Sequence, residues 1–172
     1  MSLVVISSKF MELGRLVLFM ARDRSASFDM AESFYRRASN RLDEAGENLT
    51  KKYNYPESIS ASQESMEFSI KAIFLYLEEK YPKTHEFSDE QFMKILGKIP
   101  KDYQHYNFPR LLLLTRFWSR FYETAKYGNE KLGVGPDKLF KESEAKLALG
   151  HANECHSAAY GIRSWAYRRQ SA

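Results

Sequence analysis

Cysteine is almost missing from this chain. Cys155 is the single cysteine among 172 residues, so the sequence excludes an intramolecular disulfide framework and a metal site built from several cysteines. That composition suits a reducing environment. The length allows one domain with a sizeable core and is short for two. A single packed core must therefore hold the fold together.

Long hydrophobic runs are lacking as well. The first 22 residues contain two apolar clusters, but Lys9, Glu12 and Arg15 interrupt them. A membrane-spanning helix needs about 18 to 20 apolar residues in a row, and a signal peptide needs a basic start and a small-residue cleavage site. The segment has neither pattern. We therefore expect a soluble, cytoplasmic protein with no membrane partner.

Charge of one sign is only mildly in excess. The formal net charge is +4 and the sequence pI is about 9.0, which permits contact with phosphates without requiring it. Arginines concentrate near the two ends of the sequence, at Arg22, Arg24, Arg36, Arg37, Arg41, Arg168 and Arg169. If the ends meet, these residues form an anion-attracting patch; otherwise they are a solubilising face.

Strand-like alternation and phosphate-binding loops are also absent. The stretch GVGP lacks both the preceding strand and the following Lys-Ser/Thr of a P-loop. Helical periodicity dominates from about Asp29 onward, so the predicted class is all-α. Asp29 and Glu32 form a capping-box pattern that predicts a helix over about 29–52, and Pro56 opens a second over about 57–80.

Further helices follow from the same signals. The pair Ser88 and Gln91 predicts a short capped helix, Pro109 opens a helix that carries one long apolar stripe, and Pro136 opens the last helix. The segment 101–108 is predicted as a loop. The last helix carries small residues at a strict 3-4-3-4 spacing, which predicts a central position: Ala145, Ala148, Ala152, Cys155, Ala159, Ile162 and Ala166. Before residue 29, a separate helix over about 8–22 is predicted.

The helix over 57–80 has apolar residues on two opposite sides. Gln63, Glu67 and Lys71 form a polar strip between them. One interpretation is an ion pair on a solvated flank; the other is a strip that lines a cleft or a dimer seam. The opposite flank carries Ser58, Ser62, Ser65 and Ser69, whose small side chains allow a close helix contact.

The segments ASQESMEFSIKAIFLYL and YPKTHEF resemble the signature of the HEPN domain family (higher eukaryotes and prokaryotes nucleotide-binding). The positions that match its Gln-x3-Glu-x3-Lys-Ala and Lys-Thr-His elements are Gln63, Glu67, Lys71, Ala72, Thr84 and His85. FYETAKYGNEKL and ESEAKLALGHANE are similar to later family elements. The resemblance covers about 29–167, with Lys126 and Gly128 departing from the common Arg and Pro.

The resemblance implies an up-and-down bundle of four to five main helices, in a domain over 29–172. Residues 1–28 lie outside the resemblance and are predicted as an N-terminal helical extension that packs on this domain with its apolar face. The resemblance also implies a homodimer. Family members often accompany a small nucleotidyltransferase, sometimes as a toxin–antitoxin pair. The Gly-Ser motif of such enzymes is missing here, so this activity would belong to a partner chain.

Other family members are ribonucleases that carry an Arg four to six residues before a His. None of the four histidines of this chain has an Arg at that distance. The preferred hypothesis is therefore a non-catalytic module that binds a nucleotide, RNA or a nucleotidyltransferase partner. The alternative is a divergent, metal-independent ribonuclease that uses His85 or Lys126. His85 also fits a turn residue that bonds the backbone.

Basic and aromatic residues alternate near the end of the helix that begins at Pro109. Such a pattern holds phosphates and stacks bases, or else forms a core with a charged rim. The residues predicted to line a groove for a nucleotide, RNA or partner are Gln63, Glu67, Lys71, His85, Arg116, Arg120, Lys126 and Tyr127. No cofactor and no metal is predicted, because His151 and Cys155 lack a third ligand at matching spacing.

Overall fold

The computed structural model describes residues 3–81 and 88–171, with side chains from residue 26 onward within those ranges. The described residues are helical apart from turns and one isolated bridge between Asn129 and Val134. The predicted all-α class and the helical bundle are confirmed.

The first helix, α1, is continuous from Leu3 to Thr50. The predictions of a separate helix over 8–22 and of a new start at Asp29 are therefore wrong. The intervening residues 23–28 contain neither proline nor glycine, so nothing interrupts the propagating helix, and Asp29 and Glu32 lie in its interior. The division of the chain into 1–28 and 29–172 stays a prediction.

The second helix, α2, spans Tyr55–Tyr76 and runs antiparallel to α1. The Asn54 side chain caps it, and Pro56 lies in its first turn as predicted. The Ser58 hydroxyl donates to the Ala45 main-chain oxygen at 2.9 Å, and Ser65 donates to that of Ala38 at 2.9 Å. The serine flank therefore forms the predicted close contact, between helices of one chain.

The middle of the chain forms more and shorter helices than its periodicity predicts. The helix α3, Asp89–Leu96, has the predicted Ser88 and Gln91 capping box. Residues Lys101–Tyr106 form a 3-10 helix instead of a loop. The single stripe after Pro109 is divided between α4, Phe108–Ser119, and α5, Tyr122–Tyr127.

The last long helix, α7, spans Glu142–Gln170 and packs on α1 and α2. Pro136 opens a separate four-residue helix, α6, Pro136–Leu139, so the predicted start of the last helix is wrong. All members of the small-residue seam are buried, which confirms its central position. Because this seam and the serines of α2 are covered within one chain, neither is free to form a dimer interface.

A polar clamp ties α1 to α7. Arg163 donates from Nε and a terminal nitrogen to the two Glu32 oxygens at 2.7 and 2.9 Å, and the Tyr76 hydroxyl donates to Glu32 at 2.6 Å. Burial by itself would raise the pKa of Glu32, but these hydrogen bonds outweigh it and hold that pKa below 4.5. The clamp fixes the register of the two helices.

Candidate functional site

A groove lies between α1 and α2, and Tyr81 and the α5 residue Tyr122 also contribute to its lining. Its volume is about 450 Å³. It is lined by Phe34, Arg37, Gln63, Glu64, Glu67, Phe68, Lys71, Tyr81 and Tyr122. We call it the α1–α2 groove. The polar strip predicted from helical spacing thus lines a cleft, alongside residues from three other parts of the chain.

Aromatic rings form one wall of the α1–α2 groove. Phe34 and Phe68 stack with ring centroids 5.9 Å apart, and Tyr81 meets Phe34 edge-on at 5.0 Å. Such separations are those of favourable aromatic pairs. Phe34 and Phe68 belong to the core, so the wall is held rigidly while part of it faces the groove.

Two cations lie over this wall. The Arg37 guanidinium is 4.0 Å from the centroid of Phe68. The Lys71 ammonium is 5.9 Å from the centroid of Phe34 and 5.6 Å from that of Tyr81. A cation within about 6 Å of a ring face is attracted by the ring quadrupole. The groove therefore combines flat apolar surface with two cations, which are accompanied by the carboxylates of Glu64 and Glu67.

Glu67 and Lys71 form a buried ion pair. The Lys71 Nζ is 2.6 Å from Glu67 Oε1, and their side chains are 9 and 5 % exposed, respectively. The interpretation of this pair as a solvated flank is therefore wrong. Taking two charges out of water is costly, and a buried pair of this kind is a poor choice for stability alone. Its position in a groove favours a role in recognition.

Gln63 leaves a buried acceptor unused. Its Nε2 donates to Glu67 Oε2 at 3.4 Å, which fixes the amide orientation because an ionised carboxylate only accepts. The residue is 1 % exposed, and its Oε1 has no hydrogen-bond partner in the part of the chain that the structure describes. A buried unsatisfied acceptor costs about 1–3 kcal/mol. A donor from a bound molecule would remove that cost.

The rim of the groove carries a chain of polar contacts. Lys126 Nζ donates to the Tyr122 hydroxyl at 2.8 Å, and that hydroxyl donates to Glu64 Oε1 at 3.1 Å. Arg41 Nε lies 2.6 Å from the other Glu64 oxygen. The hydrogen bond to Tyr122 raises the pKa of Lys126 above its ordinary value of 10.5. Lys126 therefore contributes a fixed positive charge at the rim.

The remaining predicted site residues do not line the groove. Arg116 pairs with Asp89 at 2.8 Å and lies over the Phe92 ring. Arg120, which follows α4, and Tyr127, at the end of α5, are exposed and do not belong to the lining. His85 lies outside the described residues, as does Thr84. The predicted set is thus divided: Gln63, Glu67 and Lys71 line the groove, and Lys126 reaches its rim.

Sequence reasoning missed the other half of the lining. Phe34 falls in the helix predicted over about 29–52 with no role in a site, and Arg37 is only one of the arginines near the ends of the sequence. Their one available signal is the three-residue spacing, which places both on one face of α1. Nothing in the sequence indicates that this face contacts Phe68 of α2 and Tyr81.

The histidines of α7 are engaged separately. His151 Nδ1 accepts from the Trp118 indole at 3.0 Å, and His156 Nε2 lies 2.8 Å from the Ser39 hydroxyl. Burial lowers the pKa of both rings and raises the pKa of the Cys155 thiol to about 12. Among the described residues, no three His, Cys, Asp or Glu side chains are grouped as a metal site would require.

In residues 3–81 and 88–171, no helix has the length and apolar character that crossing a bilayer requires.

The described residues thus form a helical bundle with a groove that is lined by aromatic, charged and amide side chains. The family model of the HEPN domain matches residues 31–162. The chain therefore belongs to the HEPN domain family, which indicates a function related to nucleotides or RNA. No curated protein and no solved structure matches the chain.

Proposed function

We propose that this chain is a non-catalytic module that binds a nucleotide, or one nucleotide of an RNA, in the α1–α2 groove. The observation that carries the proposal is the buried, unpartnered Gln63 oxygen at the side of an aromatic and cationic cleft. Family membership supports the ligand class. The residues of the groove supply the three contacts that a nucleotide needs.

The base stacks against the aromatic wall. Phe34, Phe68 and Tyr81 present ring surface in a groove of about 450 Å³, a volume within the range of small-molecule sites. Stacking is favourable for any base, because each has a flat π-face. The aromatic wall therefore supplies affinity and little sequence preference.

The phosphate and the base edge are held by charge and by the amide. Arg37 is exposed on the groove side of α1 and presents a planar fork of donors that matches a phosphate. The Gln63 Oε1 accepts a hydrogen bond from an N–H of the base edge, which satisfies its buried lone pairs. Base preference would then depend on which ring presents a donor at this point.

The test is calorimetric titration of the chain with the four nucleoside monophosphates. We expect Gln63→Met to weaken binding about tenfold, because it removes the acceptor and keeps the side-chain volume. Ser62→Ala is the matched control, since Ser62 also has a buried unpartnered oxygen but does not line the groove. Binding that is absent from the wild type, or equal in Gln63→Met, would contradict the proposal.

A ribonuclease with a divergent site is the alternative, and it depends on His85 or Lys126. The raised pKa of Lys126 keeps this residue protonated, so it would stabilise charge and not remove a proton. End-labelled single-stranded RNA incubated with the chain distinguishes the two functions. Cleavage that is lost in His85→Ala or Lys126→Ala would establish the enzyme, and intact RNA would support the binding module.

Association with a second copy, or with a nucleotidyltransferase in a toxin–antitoxin-like pair in the cytoplasm, is the remaining part of the proposal. The family resemblance supports it. Light scattering of the purified chain tests the homodimer directly. A monomer at all accessible concentrations would remove the dimer from the proposal and leave the groove unaffected.

A further inference from the structure

A second surface, distinct from the α1–α2 groove, lies where the 3-10 helix Lys101–Tyr106 packs on α7. The rings of Tyr103, His105 and Tyr106 form one cluster there. The His105 and Tyr106 centroids are 4.2 Å apart, and the Tyr103 and Tyr106 rings are nearly parallel at 10°, with centroids 6.4 Å apart. His105 is exposed and both tyrosines are half-buried. We call these three rings the aromatic platform.

Gly161 on α7 allows the platform to exist. A Cβ at this position would lie 2.8 Å from Tyr106 Cε2 and 3.1 Å from Tyr103 Cδ1. Any larger residue would therefore push both rings outward. Because the two tyrosines rest directly on a long, buried helix, the platform is a fixed part of the fold with one side open to solvent.

Exposed cations adjoin the platform. Lys101 begins the 3-10 helix, and Arg168 donates a hydrogen bond to the Tyr103 hydroxyl. The 3-10 helix also carries the acidic residue Asp102, whose main-chain oxygen accepts from His105 Nδ1 at 2.9 Å. Two cations beside one carboxylate leave positive charge in excess.

We propose that this surface binds single-stranded RNA, with bases stacked on the aromatic platform and phosphates on Lys101 and Arg168. Aromatic rings interleaved with cations along an open surface suit a flexible polyanion with flat bases. An acidic protein surface would be attracted by the cations but would gain little from the exposed His105 ring and the half-buried tyrosine rings. The surface shares no residue with the α1–α2 groove, so the proposal stands independently of the proposed function.

The test is fluorescence anisotropy of the full chain with a labelled single-stranded oligouridine, repeated over a series of KCl concentrations. We expect the double variant Lys101→Gln/Arg168→Gln to bind about tenfold more weakly and to lose about 0.7 from the salt slope for each phosphate contact removed. The exposed His105→Ala should weaken binding about fivefold or more with an unchanged salt slope, because it removes a stacking ring and no phosphate contact.

Lys131→Gln/Lys138→Gln is the matched control, with the same charge change at exposed positions elsewhere. Binding close to that of the wild type in this control, together with the two losses above, supports the proposal. Three outcomes overturn it: no binding of oligouridine by the wild type, equal losses in the control and the test variants, or equal affinity for a duplex RNA. The variant Gln63→Met is measured in the same titration, so that the effect of the α1–α2 groove on binding is separated from that of the aromatic platform.

Discussion

At the scale of single residues, two of the Glu–Lys ion pairs with i,i+4 spacing have different surroundings. Glu47 and Lys51 meet at 2.9 Å in solvent, whereas Glu67 and Lys71 meet at 2.6 Å inside the α1–α2 groove. The same i,i+4 pattern thus gives a surface pair in one helix and a buried pair in the next. Only the packing around α2 distinguishes them.

This contrast leads to a stability prediction for Lys71. We expect Lys71→Met to lower the free energy of unfolding by about 3 kcal/mol, because it leaves the charge of Glu67 in a buried site without its ammonium partner. Urea unfolding followed by circular dichroism measures this. Lys51→Met is the control and should change little, since its pair is exposed. Similar losses in both variants would contradict the prediction.

At the scale of elements, two glycines follow α5 with positive φ but different surroundings. Gly128 has φ 74° and ψ −152°, a backbone region essentially restricted to glycine, and a Cβ there would lie 2.4 Å from the Val134 main-chain oxygen. Gly133 has φ 62° and open space around it. The first glycine closes the Asn129–Val134 bridge, and the second only turns the chain.

Alanine at the two positions should therefore have unequal effects. Gly133→Ala costs about 1 kcal/mol for its left-handed backbone, and Gly128→Ala should cost about 3 kcal/mol or more because strain and a main-chain clash add. Thermal unfolding of both variants measures the difference. Equal melting temperatures would show that the bridge relaxes without cost and would contradict the prediction.

The elements also show which signals can be interpreted from sequence. The capping box of Ser88 and Gln91 and the prolines in the first turns of α2 and α4 depend only on neighbouring residues, and the structure confirms each of them. The prediction that a helix begins at Asp29 is wrong, because the same Asp-x-x-Glu pattern also occurs inside an uninterrupted helix. In the groove, the strip of Gln63 and Lys71 follows from one helical period, whereas the aromatic wall depends on how three elements pack.

At the scale of the whole molecule, two half-buried histidines of α7 make stability depend on pH. Burial lowers the pKa of His151 and of His156 below 6.5. The charge of Asp43 raises the pKa of His156, and for His151 the charge of Glu154 raises the pKa while that of Arg110 lowers it. None of these charges reverses the lowering caused by burial. The unfolded chain then binds more protons than the folded chain as the pH falls through 6.5. Stability is complete above that pH and decreases below it.

We therefore expect a lower urea midpoint at about pH 5 than at about pH 7.5. The double variant His151→Gln/His156→Gln should show a flatter dependence, since glutamine retains a hydrogen-bonding group at each site and does not titrate. The carboxylate of Glu32 acts in the same direction but only below pH 4.5, because its pKa is lowered from that value. An unchanged dependence in the double variant would assign the effect to other groups.

The serine flank of α2 has a consequence for how this sequence can diverge. Ser58 and Ser65 donate to main-chain oxygens of α1, whereas the hydroxyls of Ser62 and Ser69 have no partner within the described residues. The first two positions depend on a hydroxyl, and the other two depend only on small size. Distant relatives should thus exchange serine for alanine freely at 62 and 69 while keeping a hydroxyl at 58 and 65.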